Sequence, residues 1–245
     1  MPKKRLDLLL VERGLTDTRS KAQRVIMAGQ VRVDGQLVFK PASPVDESAT
    51  LAVNPGRQFV SRGGEKLAGA LDTFRIDPAG LTCADVGAST GGFSDCLLQR
   101  GAARVYSIDV GRGQLDWKLR SDPRVVVMEQ TNARYLETLP EPIDLIAVDA
   151  SFISLRLLLP VLKNWLRTGA RPGAIVALVK PQFEAGRKEA DRGEGVIRDP
   201  EVHERVLAEL AAFAHETGLT VLGRTTSPLL GPKGNTEFFL HLRRS

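Results

Sequence analysis

Asp85, Asp109, Asp149 and Lys180 each follow a short apolar run, and the first of them opens the segment Asp85-Val86-Gly87-Ala88-Ser89-Thr90-Gly91-Gly92-Phe93. Leu81, Cys83 and Val86 fit a buried strand, Gly87 to Gly92 a small-residue turn, and Phe93 the start of a helix. Such a turn lets a ligand press against the backbone while the first helical amides meet its negative group. The turn holds no lysine, unlike a Walker phosphate loop, and the spacing Gly87-x-x-x-Gly91 misses the dinucleotide fingerprint Gly-x-Gly-x-x-Gly. A small zwitterion bearing a nucleoside, such as S-adenosylmethionine, therefore fits better than a polyphosphate. Asp109, 24 residues after Asp85, stands where a carboxylate can accept from both ribose hydroxyls, and Asn132 follows the next run, where it can read an adenine edge. The expected cofactor-binding set is Asp85, Gly87, Ser89, Thr90, Gly91, Gly92, Phe93, Asp109, Asn132 and Asp149. Arg112, Gln114 and Trp117 are candidate flanks, Trp117 reading equally well as packing.

Lys180 ends the run Ile175-Val176-Ala177-Leu178-Val179. A lysine after five buried residues has to emerge at the crevice. One account is a salt bridge to Asp149; the other is an amine tuned for proton transfer.

The elements that position these residues alternate. Strands are expected at 81–87, 104–109, 125–130, 143–149 and 174–179, with a last pair near 220–226 and 236–242. Helices are expected near 92–100, 154–167 and 200–217. Alternation of this kind defines an α/β fold, a Rossmann-like doubly wound parallel sheet with helices on both faces and its site at the carboxyl ends of the strands. Thr236 to Leu240 is expected to supply an antiparallel edge strand. The leucines at 155, 157, 158 and 159, with Trp165, read as core.

Charge is uneven: residues 1–66 hold 12 Lys/Arg against 7 Asp/Glu, while the rest of the 245-residue chain balances, so the net +5 lies in the first quarter. A polyanion is the matching partner. Leu6, Leu9 and Leu10 repeat at helical spacing; Thr18 caps a second helix with Ala22, Val25 and Ile26 on its apolar face. Arg19, Lys21 and Arg24 crowd the start of that helix against the macrodipole, a conflict that a bound phosphate would resolve. Val31 to Val38 reads as a hairpin with an Asp34-Gly35 turn, and 49–53 as a last strand. Arg19-Ser20-Lys21-Ala22-Gln23 with Gly29-Gln30-Val31-Arg32-Val33-Asp34-Gly35 resembles the RNA-binding domain named after ribosomal protein S-four. The resemblance implies RNA contact through Arg5, Arg19, Lys21, Arg24 and Arg32. The expected partition is a small α+β RNA-binding domain over 1–56, a linker over 57–64 and the larger domain over 65–245.

Cys83 and Cys96 read as buried thiols of a cytoplasmic protein, not a disulfide framework. Asp7 and Glu12 interrupt any signal-peptide core, no run of 18 apolar residues occurs, and the three histidines lack metal-site spacing, so no metal is expected.

Asp85 to Phe93, Val148-Asp149-Ala150-Ser151-Phe152-Ile153-Ser154, Lys180-Pro181-Gln182-Phe183-Glu184 and Gly234-Asn235-Thr236-Glu237-Phe238 together resemble the TlyA family, across nearly the whole chain. The resemblance implies an FtsJ-like domain that uses S-adenosylmethionine to methylate cytidine 2′-hydroxyls of ribosomal RNA, free or in ribosomal subunits. It also implies a catalytic tetrad of Lys66, Asp149, Lys180 and Glu237, which must then converge on one pocket with Lys180 as base and Lys66 on the ribose or its oxyanion. The segment from Glu189 to Gly195 departs from the family in its acidity. Two rival readings are a membrane-active cytolysin, because such proteins have been called haemolysins, and a ribosome-assembly factor that binds RNA without catalysis. The first needs an amphipathic membrane stripe that the sequence lacks, so no stable membrane insertion is expected; the filled tetrad opposes the second.

Overall fold

The computed structural model describes residues 2–54, 56, 58–186, 189 and 194–245. The chain divides into two compact units, Met1–Gln58 and Phe59–Ser245.

In the small unit, β1 (Lys3–Arg5) leads into α1 (Leu6–Glu12) and α2 (Arg19–Met27), followed by β2 (Val31–Val33), β3 (Gln36–Leu37), β4 (Pro44–Asp46) and β5 (Leu51–Val53). Leu6, Leu9, Leu10, Ala22 and Ile26 are buried with Val31, Val45 and Ala49, so the two helices close over short strands through the faces their periodicity defines. Thr18 caps α2, its hydroxyl accepting from the Lys21 amide at 3.2 Å. Asp34 and Gly35, at φ 49° and 81°, form the two-residue hairpin turn between β2 and β3.

The large unit begins earlier than expected. Phe59 is 4% exposed in the core, the Val60 amide donates to the Asp95 carboxylate at 2.9 Å, and α3 runs Gly63–Phe74. Residues 59–64, expected as linker, are thus part of this unit, because an aromatic ring and a satisfied amide hold them there. Pro55 and Arg57 of the expected break and linker lie outside the described residues.

Five strands, β6 (Thr82–Val86), β7 (Arg104–Ile108), β8 (Val125–Met128), β9 (Leu145–Val148) and β10 (Ala174–Val179), pair in parallel, and β11 (Leu219–Thr226) and β12 (Phe238–Arg244) complete a sheet of order β11-β12-β10-β9-β6-β7-β8. β12 is antiparallel to both neighbours. It is therefore not the edge strand expected of it; β11 is. The reason is burial: Phe239, Leu240 and Leu242 are at most 1% exposed, whereas β11 alternates between half-buried and exposed residues.

Helices cover both faces. On one side α3 and α4 (Gly92–Gln99) press Leu67, Ala70, Leu71, Cys96 and Leu97 onto Cys83, Val105, Ala147 and Val176. On the other, α6 (Leu159–Trp165) and α8 (Pro200–Glu216) pack Leu159, Leu162, Trp165, Leu207 and Leu210 against Ile146, Ile175 and Leu240. Two short helices, α5 (Trp117–Arg120) and α7 (Pro181–Glu184), occupy loops that carry no sustained periodicity. The first half of the helix expected over 154–167 is a separate 3-10 turn, Leu155–Leu157. Burial pushes both cysteine thiols up to about 12, consistent with inert core residues.

Candidate active site

Parallel strands leave their carboxyl ends on one edge, and that is where the polar residues gather. The turn after β6 is shaped by the protein's own packing. A Cβ on Gly87 (φ 86°) would stand 2.6 Å from the Asp149 carbonyl oxygen, and one on Gly91 (φ 93°) 2.2 Å from Leu119. On Gly92 a Cβ would meet the Ser61 hydroxyl and the Gly64 amide of α3. The glycines expected to admit a ligand are thus required first by neighbouring elements. Gly91 is buried beneath Leu115 and Leu119 and lines neither of the two cavities beside this turn, and Phe93 packs its ring against Phe239 at 6.2 Å and borders one of them.

Two cavities meet at this turn. One, of about 390 Å³, is walled by Ser61, Arg62 and Lys66 of the α3 entry, by Asp85, Gly87 to Thr90, Gly92 and Asp149, and by Leu230 and Pro232. The other, of about 550 Å³, is walled by Gly87, Ser89, Asp109, Gln114, Thr131, Asn132 and the segment Asp149–Ile153. Gly87, Ser89 and Asp149 belong to both.

Asp85 lies fully buried on the floor of the first cavity. Its Oδ2 accepts from the Ser94 amide at 2.8 Å and hydroxyl at 2.7 Å, while Oδ1 has no partner among the described residues. Burial, only partly offset by the Ser94 hydrogen bonds, lifts its carboxyl to about 7. A buried oxygen without a donor at a cavity floor matches an ammonium group, the positive end of an amino-acid zwitterion. Asp109 accepts from the Ser89 amide at 2.8 Å and the Gly111 amide at 2.7 Å, one on each oxygen, so besides facing the second cavity it ties the glycine turn to the end of β7. Asn132 lines the same cavity and spends its Oδ1 capping a 3-10 turn through the Arg134 amide at 3.0 Å. Its amide donors have no partner among the described residues. Residues and space on this side fit a nucleoside with an attached amino acid.

The four residues of the expected tetrad come together as two ion pairs. Lys180, Asp149 and Glu237 stand at neighbouring strand ends, because Val179 pairs with Phe238 across β10 and β12, and β9 lies on the other side of β10. The reversal of β12 is what brings its start, and Glu237 just before it, to this edge. Lys180 Nζ lies 2.6 Å from Asp149 Oδ1 and donates to the Ser151 hydroxyl at 2.8 Å. Lys66, from the first turn of α3, lies 2.5 Å from Glu237 Oε2. Glu237 is 1% exposed, and Gly231 stays side-chainless beneath it, since a Cβ there would approach Oε1 to 2.1 Å. Lys66 and Asp149 form cavity wall; Lys180 reaches the cavities through Asp149 and Ser151, and Glu237 backs Lys66. The salt bridge expected as the plain account of Lys180 is present, as half of this arrangement. The Lys66–Glu237 pair is buried, whereas Asp149 of the other pair is half-buried; a buried pair contributes little net stability.

Sequence reading left out Ser61 and Arg62 as wall, and Phe152 as an exposed ring. Phe152 is 90% exposed at φ 63°, lines the second cavity and packs against Phe183 with ring centres 5.1 Å apart and planes tilted by 46°. A bulky residue held at positive φ is a signal that only coordinates reveal. Trp117, offered as a flank or as packing, is 76% exposed and lines neither cavity, whereas Gln114 does line one; Trp165 is core.

In the small unit the crowded cations meet acids of the chain itself. Arg5 binds Asp7 through two nitrogens at 2.9 and 3.0 Å, Arg19 adds a contact at 3.0 Å and Gln23 one at 2.9 Å. These donors hold the buried Asp7 carboxyl well below the usual carboxylate range. Lys21 pairs with Asp17 at 2.7 Å, Arg32 donates to the Gly35 carbonyl at 2.7 Å, and Arg24 is exposed. The conflict at the start of α2 is therefore eased without invoking a phosphate, by Asp17 four residues before Lys21 and by Asp7, a longer-range partner that helix-spacing rules do not show. Residues 190–193 of the acidic segment lie outside the described residues; Glu189, within it, pairs with Arg205. No helix of the described residues is long and apolar enough to cross a membrane.

This sheet, with a glycine turn and acids at consecutive strand ends, defines a methyltransferase, and residues 59–244 match the FtsJ-like methyltransferase family while residues 4–51 match the S4 domain. A 16S/23S rRNA (cytidine-2′-O)-methyltransferase, TlyA of Mycobacterium tuberculosis, is 49% identical over 243 residues, covering 98% of this chain and 89% of that protein. Hemolysin A of Brachyspira hyodysenteriae is 41% identical over 240 residues, covering 97% and 98%. A solved structure of a hemolysin-named protein from Streptococcus thermophilus superposes with a TM-score of 0.74 at 45% identity, covering 100% of this chain and 90% of that one. The chain belongs to the TlyA family of FtsJ-like methyltransferases.

Proposed function

We propose that this chain methylates a ribose 2′-hydroxyl of ribosomal RNA, at a cytidine, with S-adenosylmethionine as donor. The reading rests above all on the ion pairs Lys180–Asp149 and Lys66–Glu237, whose members Asp149 and Lys66 line a cavity that Asp85 also lines. S-adenosylmethionine supplies an electrophilic methyl group on a sulfonium. Asp85 would hold its ammonium, Ser89, Thr90 and the amides after Gly87 its carboxylate, and Asp109 and Asn132 its nucleoside.

The ribose hydroxyl is a poor nucleophile until its proton leaves. Lys180 is the base that takes up that proton, and Asp149 beside it stabilises the ammonium that results. Ser151 orients the amine from the other side. Lys66, facing the cavity and restrained by Glu237, steadies the developing oxyanion. Ribosomal RNA as substrate would place the reaction in the cytoplasm. The test is transfer from methyl-tritiated S-adenosylmethionine to isolated ribosomal subunits and naked ribosomal RNA, followed by nucleoside analysis. Label in 2′-O-methylcytidine is expected; a protein that binds the cofactor yet labels no ribose refutes the reading.

An exposed aromatic ring beside the cavity, Phe152, offers a stacking face to an unpaired base of single-stranded RNA. Phe152→Ala, assayed at saturating cofactor, should raise the KM for RNA roughly 5- to 100-fold, the equivalent of one lost stacking contact.

The small unit supplies charge for the RNA backbone. Lys21→Ala with Arg24→Ala should weaken RNA binding and reduce the slope of log Kd against log salt by about 1 to 2, the share of two phosphate contacts. Filter binding across a salt series reads this directly. Arg19→Ala is the wrong control, because it also strips a donor from buried Asp7.

A further inference from the structure

Two short segments carry the polar groups beside the second cavity: Asp149–Leu155 after β9, and Lys180–Glu184 at the end of β10. Neither has enough regular structure to hold its own shape, since α7 is a single turn and the 3-10 turn starts only at Leu155. They are tied to each other at two places. At the cavity, Lys180 meets Asp149 at 2.6 Å and Ser151 at 2.8 Å. At the far end, the Ser154 hydroxyl donates to Glu184 Oε2 at 2.6 Å and the Leu155 amide donates to Oε1 at 2.8 Å. The rings of Phe152 and Phe183 bridge the interval at 5.1 Å.

Burying a carboxylate is unfavourable, and burial does raise the Glu184 carboxyl against the pull of its two donors. A local cap of the 3-10 turn is already in place without it, because the Ser154 side chain accepts from the Arg156 amide at 3.1 Å. What Glu184 adds is a link between two strand ends. We propose that Glu184 is a positioning residue: by fastening the Asp149–Leu155 segment to the β10 end it holds Asp149 and Ser151 against the Lys180 amine. The inference rests on Lys180 being the proton acceptor of the reading above.

Glu184→Ala removes both acceptors. At saturating cofactor and RNA its kcat should fall about tenfold or more, as expected when a reacting group shifts by a fraction of an ångström. Amide exchange over residues 150–155, followed by mass spectrometry without any ligand, should accelerate. Glu184→Gln behaves differently, because its carbonyl can accept from the Leu155 amide while its NH2 donates to the Ser154 oxygen. That variant should keep kcat within about threefold of wild type and retain slow exchange. Ser154→Ala should lower kcat by less than Glu184→Ala, and the double variant should be no worse than Glu184→Ala alone. Wild-type kcat in Glu184→Ala would overturn the proposal. So would equal damage in Glu184→Gln, which would make charge and not the tie decisive, or a kcat loss matching the unfolded fraction by circular dichroism. An inactive wild-type protein would instead indict the underlying reaction.

Discussion

Lys180→Ala should abolish methyl transfer, by a factor of about 10² to 10⁴ as for loss of a general base, while S-adenosylmethionine binds within about threefold of wild type. Lys180 is 8% exposed, with its Nζ 2.6 Å from Asp149 and 2.8 Å from Ser151, so its amine is held in place. Lys180→Arg should be equally inactive: a guanidinium keeps the positive charge and the ion pair but does not give up its proton at working pH. The pair of variants separates two roles for the cation. If charge alone held the site together, Arg would rescue; if a proton must be accepted, it would not. Single-turnover transfer and isothermal titration with the cofactor supply both readouts, and undiminished transfer in either variant would remove Lys180 from the chemistry. Loss of Lys180 leaves Asp149 half-buried and open to water, so the fold should survive.

The second large effect concerns Asp85. Its folded-state carboxyl is lifted to about 7 by burial, so between about pH 4 and about 7 the folded protein holds a proton that the unfolded chain has released. By that sign the protein without ligand loses stability as pH rises through this window. A ligand ammonium reverses the balance: it favours the ionised carboxylate, and binding releases the proton. Cofactor affinity should therefore improve with rising pH, by about tenfold per unit below 7, and level off above it. Asp85→Asn should flatten that dependence and, at pH 8, weaken binding roughly 10- to 100-fold, the value of one charge-assisted hydrogen bond. Titrations at several pH values in buffers of different ionisation enthalpy would count the released proton. A wild-type affinity constant across pH 6 to 8 would exclude Asp85 as the ammonium's partner.

Much of this site was legible from local pattern. Apolar runs ending in Asp85, Asp109, Asp149 and Lys180 mark strand ends, and in a parallel sheet strand ends share one edge; those four residues and their edge needed no coordinates. The small unit was equally readable, because its helix faces and Asp34-Gly35 turn are short-range features.

Other features were not legible. The insertion of β12 between β10 and β11 follows from which strands bury both faces, a property of pairing between distant segments. The glycines after β6 look like room for a ligand, yet they make room for Asp149, Leu119 and the α3 entry. Lys66 and Glu237 are 171 residues apart, and no spacing rule joins them.

By itself, then, the sequence determined the alternating strands and helices, the basic first quarter and the chemical character of each strand end, since all of these arise from periodicity and composition along the chain. Only the tertiary structure decided who faces whom: which lysine pairs with which acid, that Asp85 keeps an oxygen unpaired at a cavity floor, and that Asp7 already binds two of the arginines reserved for RNA. Ion pairing and burial depend on distance through space, and folding alone sets that distance.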